Sequence, residues 1–219
     1  MARAPRIVYP GLPHHVTQRG TQRLPTFLRE EDYAYYRALL KTFAERSRTK
    51  VIAWCLMPNH VHMILIPSTG DGLRATMAPL HHMFALEINR REGWTGHLWQ
   101  DRFASFPLDE SHTIAAARYI ELNPVRAELV VSPDQYRWSS AISHVTGVPD
   151  GVTDLEESRK YVDDWRGLLA SGVDESIGQL LVAHGKTYRP LGSKEWVENV
   201  MSAQGLPIHP RKRGRPKKK

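Results

Sequence analysis

The triplet His60-Val61-His62 places two imidazoles at a spacing of two. In an extended strand that spacing sets both rings on one face with Cα atoms ~6.6 Å apart, close enough to converge on one ion, while Val61 points to the opposite, packed face. Imidazole is the commonest protein ligand for a metal. Further along, Tyr119 and Asn123 stand four apart. On a helix these share a face with Cβ atoms ~5–6 Å apart, and His112 lies two turns earlier on nearly the same stripe. The Asn123 amide oxygen could complete a site with the two imidazoles and leave the Tyr119 hydroxyl beside the ion. Each residue taken alone has an ordinary structural reading: a His-x-His pair as polar strand residues, Tyr119 as a core aromatic, and Asn123 before Pro124 as a helix stop.

The elements that must position these residues are legible from their periods. His14–Arg19 alternates as a short strand, and 30–46 is a helix with Tyr33, Tyr36, Leu40 and Phe43 on one face. Val51–Met57 and His60–Ile66 are apolar, β-branched runs joined by Pro58-Asn59, a turn signal, and so form a hairpin. After Asp71 comes a helix carrying Leu73, Met77, Leu80, Phe84 and Ile88, ending before Gly93. Alternating aromatics make 98–108 a fourth strand, and 109–123 is a helix with a capping acidic start that Pro124 is expected to stop. The order β-α-β-β-α-β followed by a helix is the split βαβ, ferredoxin-like, α+β arrangement, an antiparallel sheet with two helices on one face. Residues 136–147 read as a docking helix and turn, and 154–205 as further helices.

Composition bounds the setting. The 219 residues suffice for one catalytic domain and a smaller appendage. The division expected is a catalytic domain over 1–147, a helical extension over 148–210, and a basic tail over 211–219. The single cysteine, Cys55, excludes an intramolecular disulfide and a multi-cysteine zinc cluster. No apolar run has the length of a signal peptide or a membrane span, so the expected setting is the cytoplasm, with no membrane partner. The formal charge of +7 is concentrated in the tail, where RKRGRPKKK holds seven basic residues and no acidic one. Residues 1–50 hold 10 basic against 4 acidic residues, a candidate phosphate-facing surface or an ordinary solvated face. The tail cannot bury a core and is expected to be disordered in isolation.

The segments WCLMPNHVHMIL at 54–65, GHLWQDRF at 96–103 and RYIELNPVRAELV at 118–130 occur in this order, with YPGLPHHVTQRG at 9–20 and RWSS at 137–140 around them. Together they resemble the REP-associated tyrosine transposases, single-tyrosine enzymes of the HUH endonuclease superfamily, and the resemblance spans about residues 1–147. It implies that His60 and His62 bind a divalent cation, that Asn123 occupies the position of the third ligand, and that Tyr119 is the nucleophile. Asp101 and Glu128 depart from it, standing where glycine is expected, which affects local loop shape rather than chemistry. Nitrogen and amide-oxygen ligation suits Mg²⁺ or Mn²⁺, and spacing does not choose between them. The implied activity is a metal-dependent cutting and rejoining of single-stranded DNA through a 5′-phosphotyrosine, on hairpins of repeated extragenic palindromes. The rival readings are a domesticated protein that binds such hairpins without cutting, and an HUH nickase of the replication-initiator or relaxase type. The enzyme would act in a prokaryotic, nucleoid-associated setting as a monomer or homodimer.

Other residues carry weaker signals. Arg19, Arg102 and Arg118 are candidates for flanking phosphates, or equally for surface ion pairs. Trp94 and Trp99 are candidates for base stacking or for the core. His15 can neighbour the His60–His62 strand and support a ligand from behind. In the tail, Arg213-Gly214-Arg215-Pro216-Lys217 resembles an AT-hook, which would lie in the minor groove of A·T-rich duplex DNA; a simple basic tail is the even alternative.

Overall fold

A computed structural model describes residues 7–172, 174–203 and 205. Arg213, Arg215 and the rest of the basic tail lie outside the described residues.

Four strands form one antiparallel sheet: β1 (His14–Arg19), β2 (Lys50–Met57), β3 (His60–Ile66) and β4 (Ala104–Pro107). Their order is β2-β3-β1-β4, the ferredoxin-like order, so the strand carrying both imidazoles is central and paired on both sides. Register sets Thr17 and Cys55 opposite His62, and Arg19 and Met57 opposite His60. By the period of two, His15, Thr17, Arg19, His60 and His62 therefore share a face.

Helices α1 (Glu30–Ser47) and α2 (Gly72–Glu92) pack on each other over the other face. Tyr36, Leu40, Leu73, Met77 and Phe84, all fully buried, fill the core with Trp54 and Met63 of the sheet. The histidine face is covered by α3 (Glu110–Arg126), which contacts β1, β2 and β3. Its start is fixed by Asp109, whose Oδ1 accepts from the His112 backbone N–H at 2.9 Å.

Two expectations about these elements need correction. The helix does not stop before Pro124: it runs on to Arg126. Proline cannot donate to the Ile120 carbonyl, yet the last turn is closed by Ala127 N–H to Asn123 O and Leu129 N–H to Pro124 O, each 2.9 Å. The reversal comes instead at Glu128, with φ +55°. Nor is 98–108 one continuous strand. Trp99 makes an isolated bridge to Gly20, and only Ala104–Pro107 joins the sheet. Between them the chain leaves the ladder, because the Trp99 indole turns in to donate to His81 O and the Gln18 amide takes the Asp101 carbonyl.

Beyond residue 147 the helices α5 (Leu155–Arg159), α6 (Trp165–Ala170), α7 (Glu175–Thr187) and α8 (Lys194–Ala203) follow the short α4 (Ala141–Thr146). Of these, α5, α6 and α7 pack back on the sheet or α3. Ile177 and Leu181 of α7 are buried against β4 and α3, and Val200 and Met201 of α8 meet Ile7 and Tyr9. Among the described residues no helix is long and apolar enough to cross a membrane.

Candidate active site

The site is built where α3 crosses the histidine face. His60 and His62 have ring centroids 4.9 Å apart, and the Tyr119 ring stands edge-on to His62 at 6.0 Å. Asn123, one turn beyond Tyr119, is buried, and its Nδ2 has no hydrogen-bond partner. His112, expected on the same stripe, is drawn away: its Nδ1 is 2.7 Å from Asp109 Oδ1 at the helix start.

Both imidazoles are held from behind. His60 Nδ1 lies 2.6 Å from Asn59 Oδ1, which can only accept, so the proton sits on Nδ1 and Nε2 carries the lone pair. His62 Nδ1 lies 3.0 Å from His15 Nε2. If Nδ1 of His62 donates there, its Nε2 is likewise left with a lone pair. Burial, reinforced by the Arg19 charge, lowers the His60 pKa to about 4. His62 is pushed well below the ordinary histidine value by burial and then by His60, His15, Arg19 and Arg126. His15 falls to about 3 by burial alone. At neutral pH the imidazoles are therefore uncharged, the form that ligates a cation.

The donor set can be tested against a divalent ion. Among the described residues no three His, Cys, Asp or Glu side chains are disposed to hold a metal. Two neutral imidazoles and the buried Asn123 amide, whose Oδ1 rather than its unpartnered Nδ2 is the atom a cation would take, make a nitrogen and oxygen donor set that suits a small divalent cation.

A cleft of about 600 Å³ opens beside His62 and Tyr119, which line it together with His15 and the basic side chains Arg19, Arg23, Arg102 and Lys186. Asp101 is the acidic residue in the lining. Such a wall attracts a phosphodiester backbone. Of the arginines expected near DNA, Arg19 is half-buried in the cleft and Arg102 is exposed at its rim. Arg118 points elsewhere, donating to Ser171 Oγ at 3.0 Å. Trp99 is core, and Trp94 is 44 % exposed beside Leu24 and Leu98, outside the cleft.

Two features escape the sequence reading. Arg126 lies with its guanidinium carbon 4.7 Å from the Tyr119 ring centroid. Its position, seven after Tyr119 and three after Asn123, shares their stripe, a signal hidden once the helix is taken to end at Pro124. The second is α7, which roofs Tyr119: a Cβ on Gly178 would sit 2.7 Å from Tyr119 Cε2. Nothing local in 175–187 announces that contact.

The chain is similar to several known proteins. A relative from Haemophilus influenzae, named as a REP-associated tyrosine transposase, is 23 % identical over 143 residues, covering 60 % of this chain and 75 % of its own. The solved structure of a REP-associated tyrosine transposase bound to a REP hairpin superposes with a TM-score of 0.55 at 19 % identity, covering 71 % of this chain and 93 % of that one, and so shares the fold. A transposase structure from Deinococcus radiodurans R1 reaches a TM-score of 0.39 at 22 % identity over 55 % of this chain and 96 % of its own, too distant to carry an argument. The family model for IS200-like transposases matches residues 10–123, more than half the chain, and the protein belongs to that family of DNA-acting enzymes.

Proposed function

We propose that the protein is a metal-dependent single-strand DNA endonuclease and strand transferase of the REP-associated type, acting in the cytoplasm on hairpin-forming DNA with Tyr119 as nucleophile. The observation that carries this reading is the edge-on approach of Tyr119 to His62 in one basic cleft. His60, His62 and Asn123 would hold Mg²⁺ or Mn²⁺. When bound, the ion supplies Lewis-acid polarisation of a phosphate oxygen.

The chain's own groups account for the rest. Arg19, Arg23 and Lys186 draw the backbone into the cleft, and Asn59 and His15 keep the two imidazoles oriented. The Tyr119 oxygen attacks phosphorus in line, the bond from phosphorus to the 3′-oxygen breaks, and the phenol proton ends on that 3′-oxygen. The products are a 5′-phosphotyrosyl strand and a free 3′-hydroxyl, and attack by a different 3′-hydroxyl runs the step backwards and joins strands. Hairpin substrates are supported by the similarity to a transposase solved with a REP hairpin. The basic tail adds a second contact to duplex DNA.

The test is Tyr119→Phe on a labelled hairpin oligonucleotide with Mn²⁺. Hairpin affinity is expected to stay near wild type while cleavage and the covalent adduct disappear. Wild-type protein that binds the hairpin yet forms no adduct would instead identify a non-cleaving binder. In parallel, His60→Ala with His62→Ala is expected to abolish cleavage as a chelator does, and undiminished cleavage would remove the metal assignment.

A further inference from the structure

The last turn of α3 sets Arg126 between three partners. Its guanidinium lies over the Tyr119 ring at 4.7 Å, and Nη1 approaches Asn123 Oδ1 at 3.4 Å. Its Nε and Nη2 meet both carboxylate oxygens of Glu175 at 2.9 and 2.7 Å. Two parallel N–H bonds to two oxygens is the geometry by which arginine also recognises a phosphodiester. Glu175 opens α7, and one turn later Gly178 lays that helix against Tyr119. An anionic, two-oxygen group is thus seated on an arginine that touches the nucleophile, where an anionic phosphate must arrive.

The pair is poorly suited to tethering α7. The Glu175 side chain is 68 % exposed, and ion pairs so open to water hold structure weakly. Arg126, by contrast, is only 25 % exposed, its charge acts on His62, and it lines a hollow that shares Tyr119 and Lys186 with the cleft.

We infer that Arg126 is a phosphate-binding catalytic residue of this reaction and that Glu175 occupies its fork until the scissile phosphate displaces it. Arg126 stays protonated throughout. It gives two hydrogen bonds to non-bridging oxygens as charge accumulates on phosphorus, and it offsets charge on the Tyr119 oxygen as the phenol proton departs. This rests on the function proposed above.

The two partners of one ion pair then have opposite effects. Single-turnover cleavage and adduct yield are measured with the full chain, Mn²⁺ and a labelled hairpin oligonucleotide, alongside hairpin affinity. Arg126→Gln is expected to slow cleavage ~10²–10³-fold, the range for losing one transition-state donor, with affinity changed less than ~3-fold. Glu175→Gln frees the fork and is expected to speed cleavage, by up to ~5-fold for an exposed pair. Arg126→Lys keeps the charge without the fork, and a loss of at least ~10-fold is expected; it also serves if the glutamine variant fails to fold. Both Arg126→Gln and Glu175→Gln moving the rate in the same direction would be the mark of a structural tether and would overturn the inference, as would Arg126→Lys matching wild type. An adduct from wild type with that same-direction result removes this inference alone; no adduct from wild type removes the proposed function and this with it.

Discussion

Gly178 offers the sharpest perturbation of the site that replaces none of the side chains proposed to do chemistry. An alanine there would carry its Cβ 2.7 Å from Tyr119 Cε2 and 3.3 Å from both Cζ and Oη. Ordinary carbon contacts begin near 3.5 Å, so something must open by roughly 1 Å. The helix is the stiffer partner, since Ile177 and Leu181 on either side of Gly178 are 4 % and 3 % exposed. Tyr119 is half-buried with the open cleft beside it, so the ring is expected to yield. Alanine gains ~1 kcal/mol in helix propensity, against ~1–3 kcal/mol for overpacking. The net cost should be about 1 kcal/mol, a fall in Tm of ~2–4 °C. Displacing a nucleophile by about 1 Å costs on the order of 10²-fold in rate. Adduct formation on a labelled hairpin should drop by that factor with hairpin affinity unchanged. If Gly178→Ala cleaves within ~3-fold of wild type at an unchanged Tm, the ring is not set by this helix and the reasoning is wrong.

Two further outcomes follow from buried or strained groups away from the cleft. His14 is buried with Nε2 accepting from Tyr9 N–H at 3.1 Å and Nδ1 donating to Leu12 O at 2.8 Å, and burial lowers its pKa to about 4. Unfolded, it titrates near 6.5, so between these values the unfolded state binds more protons and stability falls as pH falls. Its contribution, fully present above about pH 6.5, should drop by ~2 kcal/mol at pH 5; denaturant melts should show His14→Gln losing that part of the slope, and an unchanged slope would refute it. Glu128 holds φ +55°, a left-handed backbone that costs a side-chain-bearing residue ~1–2 kcal/mol. Glu128→Gly should therefore stabilise by ~0.5–1 kcal/mol after the extra unfolded-state entropy of glycine, and a lowered Tm would contradict this.

The order of the sheet and its first three strands were legible because those elements show one pattern without conflict. Alternation in 14–19, the apolar β-branched runs of 51–57 and 60–66, and the four-three-four rows of 73–88 depend only on which faces meet the core. The same arithmetic put His60 and His62 on one face and Tyr119 with Asn123 on another. What escaped depends on contacts distant in sequence. Proline before the last helical turn reads as a stop, but carbonyls beyond it found partners, and with that turn went Arg126. The break in 98–103 is set by Trp99 reaching His81 O, and the roof over Tyr119 by a glycine whose only relevant property is what it lacks. Glu128 is instructive in reverse: the departure from glycine was visible, and the backbone kept the glycine conformation regardless.

Asn59 is, by its sequence, a turn residue between two strands, and its contacts give it a wider duty. Its Oδ1 takes the His60 Nδ1 proton, its Nδ2 donates to Arg23 O at 2.9 Å, and its own carbonyl accepts from Gly20 N–H at 2.9 Å. Gln22 and Arg23 have φ of +55° and +63°, so the segment it grips is itself wound the unfavourable way. One side chain thus latches a sprung loop with one hand and sets the tautomer of an imidazole with the other. Aspartate, the usual equal of asparagine in turns, could serve the imidazole but would confront the Arg23 carbonyl with a second acceptor. The two amino acids are interchangeable for the turn and not for the latch, so the loop that brings Arg23 to the cleft and the unprotonated nitrogen of His60 are coupled through a single amide.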